Sequence, residues 1–216
     1  MNDVNICGRL LGVTGNGYHH GALRRALLDA AVEEARRNGP DGVQIRALAK
    51  AVGVSPSAAY RHFPNIEALL AEVSQFAREE LARFLIDRRD RATQLESPTR
   101  RTRKVTARKQ FRAVGRAYID FACAEPHLFD TAFGPGIAPP RPDDPSAWEV
   151  LVGGVQTLTD TGAIESTATD QAALIAWSGV HGIASILVRQ ALVGPLDGDA
   201  AIETVLDGIM RALESL

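Results

Sequence analysis

Apolar residues along this chain recur at helical spacing, and no stretch alternates every second residue for a useful length. Gly21 to Asn38 puts Leu23, Leu27, Ala30, Ala31 and Ala35 on one face, and Gly39-Pro40 ends it. Ile45, Leu48, Ala49 and Val52 fall at i, i+3, i+4 and i+7 of a shorter helix, with Arg46 and Lys50 on its other side. Gly53 stops that helix, because glycine takes positive φ without a steric penalty. Ser55 and Pro56 start a third: a hydroxyl at the N-cap, then a proline at the first helical position. So tight a gap predicts two helices meeting steeply. That is a helix-turn-helix, whose second helix is shaped to enter the major groove of DNA.

Asn65 opens a long helix: Ile66, Leu69, Leu70, Val73, Phe76, Ala77, Leu81 and Phe84 keep the period for about five turns. Arg88 to Lys109 loses it and gathers nine basic residues, with Ser97-Pro98 as a break. A solvated interhelical loop is expected there, with a second nucleic-acid patch as the alternative. The period returns at Phe111, Val114, Gly115, Tyr118, Phe121 and Ala122, and Pro126 breaks it. His127-Leu128-Phe129 and Phe133 form a short apolar segment before the Gly/Pro-rich stretch from Gly134 to Pro145. Ser146 and Glu149 make a capping box for a helix from about Ala147 to Leu158. Thr169 or Asp170 is expected to cap the next helix, and Asp197 or Asp199 the last. The last helix aligns Ile202, Val205, Leu206, Ile209, Leu213 and Leu216 on one side. The fold class is all-α, about nine helices. Met1 to Gly17, with four glycines and no sustained period, reads as a disordered arm.

From Tyr18 to about Phe76 the chain resembles the DNA-binding domain of the TetR family of transcriptional regulators. Tyr18-His19-His20-Gly21 ahead of the first helix and Tyr60-Arg61-His62-Phe63 at the end of the recognition helix carry the likeness. Two positions depart from it. Ala59 stands where many relatives carry a larger aliphatic, and Ile66 where many carry a lysine that contacts phosphate. The resemblance implies a DNA-binding domain over 18–64 and a helical effector-binding and dimerisation domain over 65–216, with 65–89 as the connecting helix. It also implies a homodimer held by the last two long helices, about 170–192 and 199–215, reading a palindromic operator. Trp177-Ser178-Gly179-Val180-His181-Gly182 resembles the Trp-x-x-x-His-Gly signature of one subgroup of the family.

Composition adjusts this picture in three places. The net charge of −2 looks wrong for a DNA binder until it is divided. Up to Asn65, eight basic residues face five acidic ones, a formal +3 that leaves −5 for the rest. Local charge sets the potential that phosphates feel. Cys7 and Cys123 lie far apart with no CxxC or Cys/His metal spacing, as expected of two reduced thiols in a cytoplasmic protein. No charged-then-apolar leader opens the sequence. Ala172 to Val188 lacks Asp, Glu, Lys and Arg, but Ser178, His181 and Ser185 inside it favour a helix buried in protein over a membrane span.

The leading expectation is a ligand-responsive repressor on double-stranded DNA, responding to a small-molecule effector of unknown identity. Its DNA contacts are expected from Arg24, Gln44, Arg46, Ser55, Ser57, Ala58, Tyr60, Arg61 and His62. Ser57, Ala58 and Arg61 are the candidates for base readout, with a phosphate contact as the alternative for Arg61. Tyr60 and His62, near the helix end, suit phosphate. Phe111, Tyr118, Phe121, Phe129, Trp148, Trp177 and His181 could line an effector cavity or simply fill the core. His181 is thus either a ligand contact or a satisfied core histidine. An enzyme is not expected: there is no Glu-x-x-His pair, Gly-rich phosphate loop or nucleophile elbow, and no cofactor or metal is called for. A dimeric DNA-binding scaffold or activator that senses nothing remains the alternative.

Overall fold

The computed structural model describes residues 16–92, 99–133, 146–165, 168–191 and 197–216, with the side chains of 16–20 and of Arg100 outside that set. The expected arm up to residue 15, with Cys7, and the Gly/Pro-rich stretch over 134–145 lie outside the described residues. The fold is all-helical: α1 (Asn16–Asn38), α2 (Ile45–Val52), α3 (Pro56–Tyr60), α4 (Ile66–Arg91), α5 (Arg100–Ala124), α6 (Pro126–Phe133), α7 (Ala147–Asp160), α8 (Thr169–Val188) and α9 (Gly198–Glu214). A short 3-10 turn, Pro40–Gly42, links α1 to α2.

Two apolar cores divide the molecule. The smaller, in the head, gathers Leu27, Ala31, Val32 and Ala35 of α1 with Ile45, Leu48 and Ala49 of α2, then Ala59, Phe63, Leu69 and Val73. The larger, in the body, runs from Ala77 to Leu213 and takes in α5 to α9. α4 serves both: Leu69 and Val73 belong to the head core, and Ala77, Leu81 and Leu85 to the body core. At 26 residues α4 is about 39 Å long. α1 also reaches the body, packing against α4 and α6.

Four expectations need correction. α1 begins at Asn16 rather than Gly21: no capping residue stands at position 20, and a glycine inside a helix costs only about 1 kcal/mol. The basic segment 88–109 is mostly helix rather than loop. α4 continues to Arg91, and α5 starts at Arg100, capped by Thr99, whose Oγ1 accepts from Thr102 N. Neither Thr169 nor Asp170 caps α8; Ala168 holds that position without a side-chain bond. The Ile202, Leu206, Ile209 and Leu213 stripe of α9 is buried within the protomer, against α5 and α8, so it is not a free dimer face.

Glycines make two of the body's close approaches. A Cβ on Gly179 of α8 would stand 2.8 Å from Ile209 Cδ1, and one on Gly115 of α5 would stand 2.8 Å from Leu206 Cδ2. Outside this packing, α5 is tied to α9 by charge. Arg112 pairs with Glu203 and Asp207, and Arg116 with Asp120, Asp199 and Glu203. α8 is long and apolar enough to cross a membrane by length and composition. Its buried face, Ala172, Ala173, Ala176, Val180, Ile183 and Ala184, instead packs within the bundle on α5, α7 and α9.

Candidate nucleic-acid interface and effector pocket

The turn between α2 and α3 is set by its residues. Gly53 sits at φ 79°, and its N–H bonds back to the α2 carbonyls. Ser55 Oγ accepts from Ala58 N at 3.2 Å and lies 3.0 Å from Ser57 Oγ. Ala59 is fully buried and Phe63 nearly so, which pins α3 to the head core by its inner side. Gln44, Arg46, Ser55, Ser57, Tyr60 and Arg61 are exposed, and His62 is half-buried. Tyr60 keeps 40% of its surface free, a large ring held outward where burial would be favourable. Arg61 follows Ser57 by one turn on the same face.

Ala58 is only 8% exposed, whereas Ser57 and Arg61 beside it are exposed. Arg24 is exposed on α1 but not loose. Its guanidinium pairs with Glu72 at 3.0 Å and lies 5.0 Å over the Phe63 ring. Tyr18, His19 and His20 have side chains outside the described set.

In the body, the expected ligand-binding aromatics fall into three groups. Tyr118, Phe129, Trp177 and His181 come together with Phe133 in one cluster. Tyr118 Oη and His181 Nδ1 are hydrogen-bonded at 2.8 Å, and Trp177 stacks on His181 at 6.0 Å and 7°. Burial keeps the Tyr118 phenol protonated far beyond its ordinary range. Burial, and then the charge of Arg189, lower the His181 pKa. Trp148 sits at the edge of this cluster, 6.0 Å from Trp177 and still 38% exposed. Phe111 lies deeper, beside Gly154 of α7. Phe121 turns away toward Phe84, 5.8 Å off, on a separate surface groove with Glu80 and Glu125.

Two cavities adjoin the cluster. The enclosed one, bounded by Phe111, Val114, Tyr118, Leu151, Trp177 and Val180, holds about 20 Å³, room for a single water. The second is an open groove of about 510 Å³ between the end of α1 and the helices α6 and α8. Its walls include Phe129 and His181, which were expected at a ligand site, and Asn38, Asp41, His127, Asp130, Ser185 and Arg189, which were not.

At this joint Arg36 of α1 donates to Glu125 Oε1 at 2.6 Å and to both carboxylate oxygens of Glu80 at 3.0 and 2.9 Å. Partial burial works to lower the Arg36 pKa, and the two carboxylates more than reverse it. Head and body are thus fastened by charge, through two carboxylates that line the separate groove beside Phe121.

Two family models match this chain: bacterial regulatory proteins of the tetR family over residues 27–73, and a tetracyclin repressor-like C-terminal domain over residues 111–209. The chain belongs to the TetR family. The first range spans the helix-turn-helix, and the second covers most of the body bundle. This TetR-family regulator is 30% identical to a Rhodococcus sp. RHA1 protein of unknown function, over 92% of its own length and 99% of the other, at a TM-score of 0.70. It is 29% identical over 115 residues to YobS of Bacillus subtilis (strain 168), an uncharacterized HTH-type transcriptional regulator. That match covers 52% of each, so the chain spans about half the length of the curated relative it matches. A TetR variant from Acinetobacter baumannii AYE, solved with minocycline, shares the fold at TM-score 0.58 and 18% identity, over 88% of this chain and 94% of that one.

Proposed function

We propose that this TetR-family regulator is a ligand-responsive repressor that binds a palindromic operator as a homodimer. In this reading residues 18–64 read DNA, and residues 65–216 pair the protomers and sense a small molecule. The protein works in the cytoplasm and catalyses nothing. Its body belongs with the Trp-His-Gly subgroup, whose Trp177 and His181 are the stacked pair at the aromatic cluster. The observation that carries the proposal is the exposed outer side of α3. Ser57, Tyr60 and Arg61 project from a helix whose inner side, Ala58 and Ala59, is buried and whose start is capped.

One short helix buries too little DNA surface for useful specificity, and two half-sites add their energies. A face for the second copy is available on α8, where Leu174, Ile175 and Ile186 are large, apolar and exposed, with Ser178 and Gly182 between them. Such a patch is the usual mark of an interface. On the edge of α9 away from its ion pairs with α5, Gly208 is equally open. A Cβ added at Gly182 or Gly208 meets nothing within 4 Å, so another helix has room to come close to both backbones.

Selection of genomic fragments on the purified protein tests the proposal. An inverted repeat is expected, bound with an affinity that falls by orders of magnitude between low and moderate salt. Recovery of no enriched duplex rejects the reading. A dimeric DNA-binding scaffold or activator without an effector is the second reading, and one observation favours it: the enclosed cavity of about 20 Å³ admits no organic molecule.

A further inference from the structure

The groove at the head–body joint has room for an organic ligand without repacking a core, as does the groove of about 420 Å³ beside Phe121; it is the one of the two that adjoins the aromatic cluster around His181. Its volume of about 510 Å³ lies within the range of small-molecule sites, about 300–1,000 Å³, and the enclosed cavity falls far below it. Its walls come from both parts of the protein. Asn38 ends α1 and Asp41 lies in the 3-10 turn, His127 and Asp130 belong to α6, and His181 and Arg189 to α8 and its end.

The groove's chemistry selects a ligand class. The Phe133 and His181 rings, 5.3 Å apart and crossed at 78°, are half-buried beneath the opening, and His181 is backed by Trp177. Tyr118 holds the His181 ring in place through Nδ1. Two carboxylates, Asp41 and Asp130, and one guanidinium, Arg189, line the groove, so the formal balance is −1. Asp130 meets Arg189 only at 3.9 Å, with both side chains about half exposed or more, and such a pair contributes little. A carboxylate held that loosely is open to a better cation. Aromatic faces favour the same guest, because they attract positive charge as well as apolar rings.

We propose that the groove binds a small aromatic amine, its ring against Phe133 and His181 and its ammonium between Asp130 and Asp41. Such a ligand bridges the end of α1 and its 3-10 turn to α6 and α8, and so fixes the angle between head and body. Operator affinity then depends on the ligand, because the two heads of a dimer must span adjacent grooves at one spacing. The inference rests on the ligand-responsive reading and gives the effector a class and a place outside the bundle core.

The test uses the full chain at pH 8 with two probes of like ring and opposite charge, 2-phenylethylamine and 3-phenylpropanoate. Calorimetry and Trp177 emission should show saturable binding of the amine at millimolar concentration or below and none of the carboxylate. Asp130→Asn and Asp41→Asn should each weaken the amine at least tenfold with unchanged circular dichroism and melting temperature. Ser185→Trp, which fills the groove from α8, should abolish binding. Saturating amine should shift the operator Kd at least threefold, and should do so less in Asp130→Asn. Binding of neither probe, equal binding of both, or indifference to the two Asp variants overturns the site. The two proposals fail separately. Amine binding as described by a protein that selects no duplex removes the regulator and keeps the site. Operator release by some other molecule, undisturbed in both Asp variants, removes the site and keeps the regulator.

Discussion

The head buries aliphatic residues and a single nearly inaccessible ring, Phe63, and leaves Ser57, Tyr60 and Arg61 outside. The body does the reverse. Phe111, Tyr118, Phe121 and Phe129 are all buried, and its outward surfaces are arginine-carboxylate ladders and the apolar side of α8. Surface chemistry on a short, capped frame depends on one turn of chain. Chemistry inside a bundle depends on how several helices are rotated against one another. The head is therefore built to present, and the body to pack and to couple.

The largest predicted effect tests whether the two cores stand independently. Phe63→Ala removes the ring that closes the head and should cost about 3–5 kcal/mol. Urea unfolding should then show an early head transition and loss of operator binding, with the body transition in place. A single transition shifted as a whole would mean that α4 makes one cooperative unit of both. Next comes the α8 face. Ile175→Asp and Gly182→Leu should each weaken the proposed dimer by at least about 1.4 kcal/mol, a factor of ten, in sedimentation equilibrium. Gly182 is open in the protomer, so an unchanged melting temperature for dilute monomer would place the loss at the interface.

A sharper contrast lies within α3. Arg61→Ala should relax preference at one base position per half-site, by about 1–3 kcal/mol, while Tyr60→Phe weakens every duplex alike. A uniform loss in Arg61→Ala would make that residue a phosphate clamp. In the body, Tyr118→Phe should cost about 1 kcal/mol, because His181 Nδ1 loses its partner. The smallest effect is a pH dependence. The folded-state pKa of His181 is lowered, so its contribution is fully present above the ordinary histidine value of about 6.5 and is lost as pH falls below it. His181→Phe should flatten the fall in melting temperature between about pH 7 and 5.

What could be read from the sequence follows the same division. Gly53, Ser55 and Asn65 announce their roles locally, and each behaves accordingly: left-handed backbone at Gly53, side-chain caps at the other two. Asp197 caps α9 in the same way. The start of α5 was hidden because Arg101, Arg103, Lys104 and Arg108 mask its period. The helix is held there by Thr99 and by Arg108, which reaches Ala163 O and Glu214. The burial of Ala58 was not legible, because helical spacing says which residues share a face, not which face meets the core. The α9 stripe failed likewise: an apolar side must be covered, but the pattern does not say whether a neighbour or a second copy covers it. Of the groove's lining, Phe129 and His181 stood among the expected residues, but Asp41, Asp130 and Arg189 gave no signal, since only the docking of α1 and its 3-10 turn on α6 brings them to one groove.

The unbroken length of α1 has a mechanical side. Arg36 anchors one end to the body, and Arg24, twelve residues back, stands against Phe63 beside the DNA-reading turn. That separation is about 18 Å of rigid rod. A tilt of about 10° around the Arg36 fulcrum would swing Arg24 by about 3 Å, the full length of a hydrogen bond. In a dimer both rods tilt, and the gap between the two heads changes by up to twice that. Small angular play at the joint, of the size a bound molecule could remove or impose, is thus geared up to the distance over which a phosphate contact is made or lost.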